Sequence, residues 1–258
     1  MSLGEWALIT VGAVAASSTG VVLVRKYVDS NILRDHHEAT DHMMACVGTL
    51  FAILLGFMVA NAMTRFEEAR INVQEEAGAA GDIFRLSRGL PPPTNMVIMT
   101  DCVKYFDGVA DEEFRLMEDG KMSDKCWQIY SDLWQHCTSY DPKTQGQSNL
   151  HQGLVEAMTK LGECPCQRAA QIQSHIPIVL WLVVGIGAIV TVSFSFFFGL
   201  DSVKLQLAMT ALLTYVLCMN ISLLISFNDP FSGDVKIKPI AFVVNQTLFR
   251  KALGEHVK

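Results

Sequence analysis

Residues 43–65, MMACVGTLFAILLGFMVANAMTR, decide how the rest of the chain is read. No charge interrupts Met43 through Thr64, a run long enough to cross a hydrocarbon core as one helix. Two stripes follow a four-residue step along it. Gly48, Ala52, Gly56 and Ala60 form a face of small residues suited to close contact with a neighbouring helix. Thr49, Ile53, Phe57 and Asn61 form an adjacent face running from hydroxyl through bulky apolar groups to amide. Beyond Arg65 the segment FEEARINVQEEAGAAGDIFRLSRGL continues the helical pattern in a charged register. One helix is therefore expected to leave the membrane and continue into solvent.

Composition agrees with a mixed protein. The 258 residues are 50% hydrophobic and 18% charged, with a mean hydropathy of +0.29. These totals suit a multi-pass membrane part joined to a polar part. A formal net charge of −6 argues against nucleic acid as a partner. Seven cysteines, with Cys46 and Cys218 inside apolar runs, do not make a secreted disulfide scaffold. No glycine-rich phosphate loop, HExxH or GxSxG motif occurs, so neither an enzyme nor a bound cofactor is expected.

Working outward, Trp6 to Val24 is a first apolar run of about one membrane thickness, with Gly12, Ala16 and Gly20 at every fourth position. A signal peptide is the rival reading. Glu5 and the absence of Lys or Arg before the run favour a retained transmembrane helix. In the connection to the central helix, His36, His37, Glu38, Asp41 and His42 cluster within seven positions. The three histidines are weak metal candidates, because the spacing matches no ligand template and a solvated, titrating loop explains it as well.

Residues 66–175 read as a helical, polar domain. After Pro91-Pro92-Pro93, Thr94 is expected to cap a helix through about Glu118, Gly120 to close it, and Ser123 to cap the next. YDPKTQGQSN is the clearest loop, and a last helix returns through Leu150, Leu154, Met158 and Leu161. Cys164-Pro165-Cys166 lies in that helix; with Cys102, Cys126, Cys137, His136 and His151 it suggests zinc or redox chemistry only weakly against simple packing. A third span opens at Pro177 within Ile176–Leu200, carrying the small stripe Gly187, Thr191, Ser195, Gly199. The fourth runs from about Leu205 to Phe227, with Asn220, Ser222 and Ser226 expected to face helices or water. The expected organisation is 1–65 for two membrane helices, 66–175 for the helical domain, 176–227 for two more membrane helices, and 228–258 for the tail.

Four spans place both termini and the helical domain on one side. Arg65, Arg70, Lys160, Arg168, Lys236 and Lys238 flank the membrane there, against Arg25, Lys26, Arg34 and Lys204 on the other. The positive-inside bias leans towards cytoplasmic termini in a cell membrane. Lipids and further copies of the chain are the expected partners, because the small stripes need neighbours.

Two motifs carry a resemblance. Leu55-Gly56-Phe57-Met58-Val59 followed by Thr64-Arg65-Phe66 resembles the second-helix pattern LGFYV…(T/N)RW of the bestrophin anion channels, and Asn228-Asp229-Pro230-Phe231-Ser232-Gly233 resembles the NPFG turn after their fourth helix. The layout as a whole is similar to the bestrophin-like family (the DUF4239 group), through its GxLFAxLLGF stretch, EA-rich continuation and late PFxG turn. The resemblance implies an all-α membrane protein with four transmembrane helices and a helical cytosolic extension. It further implies a homo-oligomer, a pentamer in bestrophins, that passes small ions and favours anions. Carried over, the narrow neck falls on Thr49, Ile53 and Phe57, on the face that Asn61 extends, with Arg65 at the cytosolic mouth. A membrane-anchored interaction or signalling module without transport is the alternative. The resemblance stops after Asp234, where Val235-Lys236-Ile237-Lys238 replaces the acidic run that clasps calcium in bestrophins.

Overall fold

A computed structural model describes residues 3–28, 37–200 and 202–254. Its helices are α1 (Leu3–Tyr27), α2 (His37–Ser87), α3 (Thr94–Asp107), a π-helix (Gly108–Glu113), α4 (Phe114–Met117), α5 (Asp124–Thr138), α6 (Gln145–Gln173), α7 (Ile178–Ser195), α8 (Val203–Asn228) and α9 (Ile240–Ala252). No strand occurs among the described residues. Four of these helices contain stretches long and apolar enough to cross a membrane: Gly4–Tyr27, Thr40–Ser87, Ile178–Ser195 and Val203–Asn228. The chain divides into two compact units, Met1–Thr64 with His175–Asn228, and Arg65–Ser174 with Asp229–Lys258.

In the first unit α1 lies chiefly against α8, and α7 touches both. The first part of α2 packs through Phe51, Leu55, Met58 and Ala62 against Val184 of α7 and Leu224 of α8. These four recur at three- and four-residue steps, which makes a single apolar edge. Gly187 is where α7 lets α2 approach, because a Cβ there would overlap the Phe51 ring. Gly20 does the same for Phe196. Most polar contacts within the bundle sit at the start of α8, and at its end Asn228 Oδ1 accepts from the Ile176 N–H at 3.2 Å. Thr214 Oγ1 is 3.0 Å from Ser17 Oγ, and Ser195 Oγ is 3.2 Å from Thr210 Oγ1. Gln206 Nε2 donates to the carbonyls of Ser195 at 3.3 Å and Phe196 at 2.9 Å. Arg25 Nε donates to Gln206 Oε1 at 2.6 Å, and a second Arg25 nitrogen donates to the Leu200 carbonyl. Gln206 also explains why α7 stops at Ser195 and not at Leu200: its amide takes carbonyls that another helical turn would use. Asn220 and Ser226, expected to face helices or water, donate to the Val216 and Ser222 carbonyls of their own helix.

The second unit is built around Ile83, Phe84, Ile98, Tyr105, Phe106, Leu133, Leu154 and Met158, all but fully buried. Ser123 caps α5 as expected, accepting from the Cys126 N–H at 3.3 Å. Thr94 does not cap α3. It is the first helical residue, and Pro93 holds the cap position without a side-chain bond. The helix expected to run unbroken to Glu118 widens instead into the π-helix before α4. Gly120, at φ +72°, then turns the chain where a side chain would be strained. α6 begins at Gln145, inside the expected loop, because Thr144 Oγ1 caps it by accepting from Gln147 N at 3.2 Å. In the tail, Asp229 closes a turn by accepting from the Phe231 N–H and the Ser232 hydroxyl. That turn sends Phe231 into the core beside Phe114. α9 follows with Phe242 and Phe249 buried, the latter stacked on Phe84 at 4.0 Å.

Candidate functional site

The apolar edge that α2 packs inside the chain is not the one carrying the candidate residues. At ~100° per residue, Thr49, Ile53 and Phe57 lie roughly opposite Phe51, Leu55, Met58 and Ala62, and Asn61 lies about a quarter-turn from that edge. All four are exposed in the single chain, Ile53 by 52% and Phe57 by 72%. Asn61 makes no side-chain hydrogen bond among the described residues. The small residues Ala52, Gly56 and Ala60 are exposed too and Gly48 is half-buried; a Cβ on either glycine would meet nothing within 4 Å. Neither glycine of the stripe therefore seats a neighbouring side chain among the described residues, unlike Gly187 of α7.

Arg65 begins the second unit and is half-buried. Its Nη1 donates to the Ser174 carbonyl at 2.9 Å, so its charge sits at the C-terminus of α6, where the helix dipole favours a cation. Of the histidine group, His36 and the side chains of His37 and Glu38 lie outside the described residues. Asp41 and His42 are exposed on the first turns of α2. No cluster of three or more His, Cys, Asp or Glu side chains is arranged to hold a metal among the described residues. All seven cysteines are free. Burial pushes the thiols of Cys126, Cys137 and Cys164 up to about 12 and raises Cys102 well above its ordinary value, which keeps them protonated and inert.

A buried charge cluster in the second unit was not anticipated. Arg168 of α6 is 0% exposed. Its Nε lies 2.6 Å from Glu76 Oε2, a charge contact that is poorly aligned as a hydrogen bond. Its Nη2 donates to Glu76 Oε1 at 2.9 Å and lies 3.1 Å from Glu113 Oε1, and Nη1 reaches Met117 Sδ. The Tyr105 hydroxyl donates to Glu76 Oε1 at 2.6 Å. Burial raises the Glu76 carboxyl above its ordinary range, opposed by the neighbouring guanidinium. One cation thus ties α2, α6 and the π-helix through two carboxylates. Nearby, Asn72 Nδ2 donates to the Cys164 carbonyl at 3.0 Å. Asp101 likewise holds His136 Nδ1 at 2.7 Å and Lys104 at 2.9 Å. These contacts act as structural anchors between the helices.

A comparison with family models matches residues 11–242 to the Bestrophin-like domain. No curated protein matches. Among solved structures, a bacterial bestrophin homologue from Klebsiella pneumoniae bearing a tryptophan-to-alanine mutation is similar at TM-score 0.73 and 14% identity, covering 98% of this chain and 100% of that one. The same homologue phased on zinc gives TM-score 0.71 at 14% identity, covering 96% and 99%. A proline-to-alanine variant described as a membrane protein gives 0.71 at 13%, covering 95% and 99%. At these identities the likeness concerns the fold: helical throughout, with the elements in the same architecture. With the family model spanning residues 11–242 and the fold shared over nearly the whole length of both chains, this protein is a member of the bestrophin-like family.

Proposed function

We propose that the protein is the subunit of a homo-oligomeric ion channel, a pentamer, in which α2 lines a passive path and Thr49, Ile53, Phe57 and Asn61 face its axis. The observation that carries this reading is the unused face of α2. An exposed amide without a partner is costly against lipid and is satisfied by water or by symmetry mates around a pore. Ile53 and Phe57 on the same face supply the bulk for an apolar constriction that gates by dewetting. Gly48, Ala52, Gly56 and Ala60, beside that face, suit close approach of a neighbouring subunit.

Anions as the permeant species follow from the resemblance to bestrophins. Local charge does not add to that preference, since Arg65 is engaged at Ser174 and Glu67 and Glu68 follow it exposed. The reading places the chain in a cell membrane with its termini on the cytoplasmic side. Reconstitution into liposomes, with reversal potentials in asymmetric chloride, tests permeation and selectivity together. Mass measurement of the detergent-solubilised protein tests assembly. A stable monomer, or an oligomer with no flux under any salt gradient, overturns the channel reading in favour of a membrane-anchored interaction module.

A further inference from the structure

Between α2 and α6 of the second unit lies a groove of about 450 Å³. Its lining includes Glu68, Ile71, Asn72 and Glu75 from α2, with Ala170 and Gln171 from α6. Neither Glu68 nor Glu75 forms an ion pair among the described residues, and both side chains are exposed. Asn72 is only 3% exposed. Its Nδ2 is committed to the Cys164 carbonyl, which leaves Oδ1 buried without a hydrogen-bond partner. Gln171 Oε1 is buried without a partner as well. Two carboxylates without an ion pair thus line one groove, beside two residues whose amide oxygens are buried and unpaired. Carboxylates and amide oxygens only accept, so a group bound among them is a donor, and the carboxylates make it a cation. Arg65, one turn before Glu68, does not line the groove and is held at Ser174.

The spacing selects the shape of that cation. Glu68 and Glu75 are seven residues apart, so their backbones are about 10.5 Å apart along the helix. A calcium ion draws its oxygens to about 2.3–2.6 Å, too close for carboxylates so placed to share one ion comfortably. An elongated chain with several ammonium groups fits instead. One ammonium meets each glutamate, another meets the Asn72 and Gln171 oxygens, and the methylenes between them lie on Ile71 and Ala170. We propose that this groove is a binding site for a linear polyammonium cation. The site stands on the second unit alone and does not depend on the permeation reading.

Isothermal titration of the full-length protein in detergent with spermidine, at constant ionic strength, tests it. Saturable binding of one spermidine per chain is expected. Glu68→Gln and Glu75→Gln should each weaken it, and the double variant should lose at least tenfold in affinity. Glu156→Gln, exposed on α6 and outside the groove, should change nothing. Absence of saturable binding overturns the proposal, as does an unchanged affinity in the double variant. Dependence on one glutamate alone overturns the extended pose. Magnesium or calcium chloride giving the same variant-sensitive heat would make the groove a metal site instead. Loss of the oligomer in the double variant without any spermidine binding would make it a contact between subunits.

Discussion

Replacing Arg168 with methionine should be among the most damaging single changes in the second unit. Among the described residues the guanidinium is the one cation reaching both Glu76 and Glu113, and all three side chains are buried almost completely. Methionine keeps much of the volume but leaves two carboxylates facing each other in a dry interior. Breaking a buried ion pair by removing one partner costs about 3–5 kcal/mol. For a chain of this size each kcal/mol moves the melting temperature by roughly 2–4 °C, so a fall of roughly 6–20 °C is expected. Trp127 and Trp134 both lie on α5 of this unit, which makes tryptophan fluorescence a suitable probe of its melting. The deficit should depend on pH. Without Arg168, burial drives the Glu76 carboxyl still further above its unfolded value of about 4.3. A raised folded pKa contributes stability that is present below the unfolded value and lost as pH rises through the folded one. The variant should therefore approach the wild type below about pH 4.3 and fall behind as pH increases. Adding Glu76→Gln and Glu113→Gln to Arg168→Met should recover part of the loss, since no charge is then stranded. A melting point within about 3 °C of the wild type, independent of pH, would refute the assignment of this cluster as the clamp between α2, α6 and the π-helix.

Ile53→Ala and Phe57→Ala should raise or unlock ion flux in liposomes without altering the oligomer, because an apolar gate depends on the bulk of its lining; unchanged flux would remove these side chains from the path. Gly187→Ala should destabilise the fold of the single chain, because its Cβ collides with the Phe51 ring, whereas Gly56→Leu should leave the fold intact and impair assembly. Size-exclusion chromatography beside a melting curve separates the two effects. Cys166, exposed on α6, should react with an aqueous thiol reagent in the native protein, while Cys102, Cys126, Cys137 and Cys164 should react only after unfolding. Mass mapping of the labelled peptides reads this directly.

The membrane helices were legible because an uncharged run of about twenty residues has few alternatives to spanning a bilayer. The Ser123 cap was legible for a similarly local reason, since a serine before an apolar periodic run has one efficient use. The limits of α7 and α3 were less so. α7 ends where the Gln206 amide intercepts its carbonyls, an event decided eleven residues away. α3 widens into the π-helix whose Glu113 meets Arg168, on a helix that begins much later in the chain. Glu75 and Glu76 look alike in a string of letters, yet one is exposed and the other is 0% exposed against a guanidinium 92 positions on. The contact stripe Gln206, Thr210, Thr214 was readable in principle, since it repeats every fourth residue. On α2 both four-residue stripes were evident, but a sequence does not say which faces are spent within the chain. That came from Phe51, Leu55, Met58 and Ala62.

The π-helix at Gly108–Glu113 also bears on which changes in length the chain can absorb. A π turn is an α-helix carrying one surplus residue, with the flanking turns still in phase. Met99 and Phe106 are seven positions apart, but Phe106 and Phe114 are eight, and all three point into the same core. Excising Asp111, whose side chain is exposed, would relax the wide turn into a regular one. Phe114 and Glu113 would keep the directions they already have. The same excision in α6, at Val155, would rotate everything beyond it by ~100° and carry Arg168 away from both glutamates. Shortening by a single codon is thus nearly silent in one helix and ruinous in the other, and the difference lies in where the surplus residue is stored.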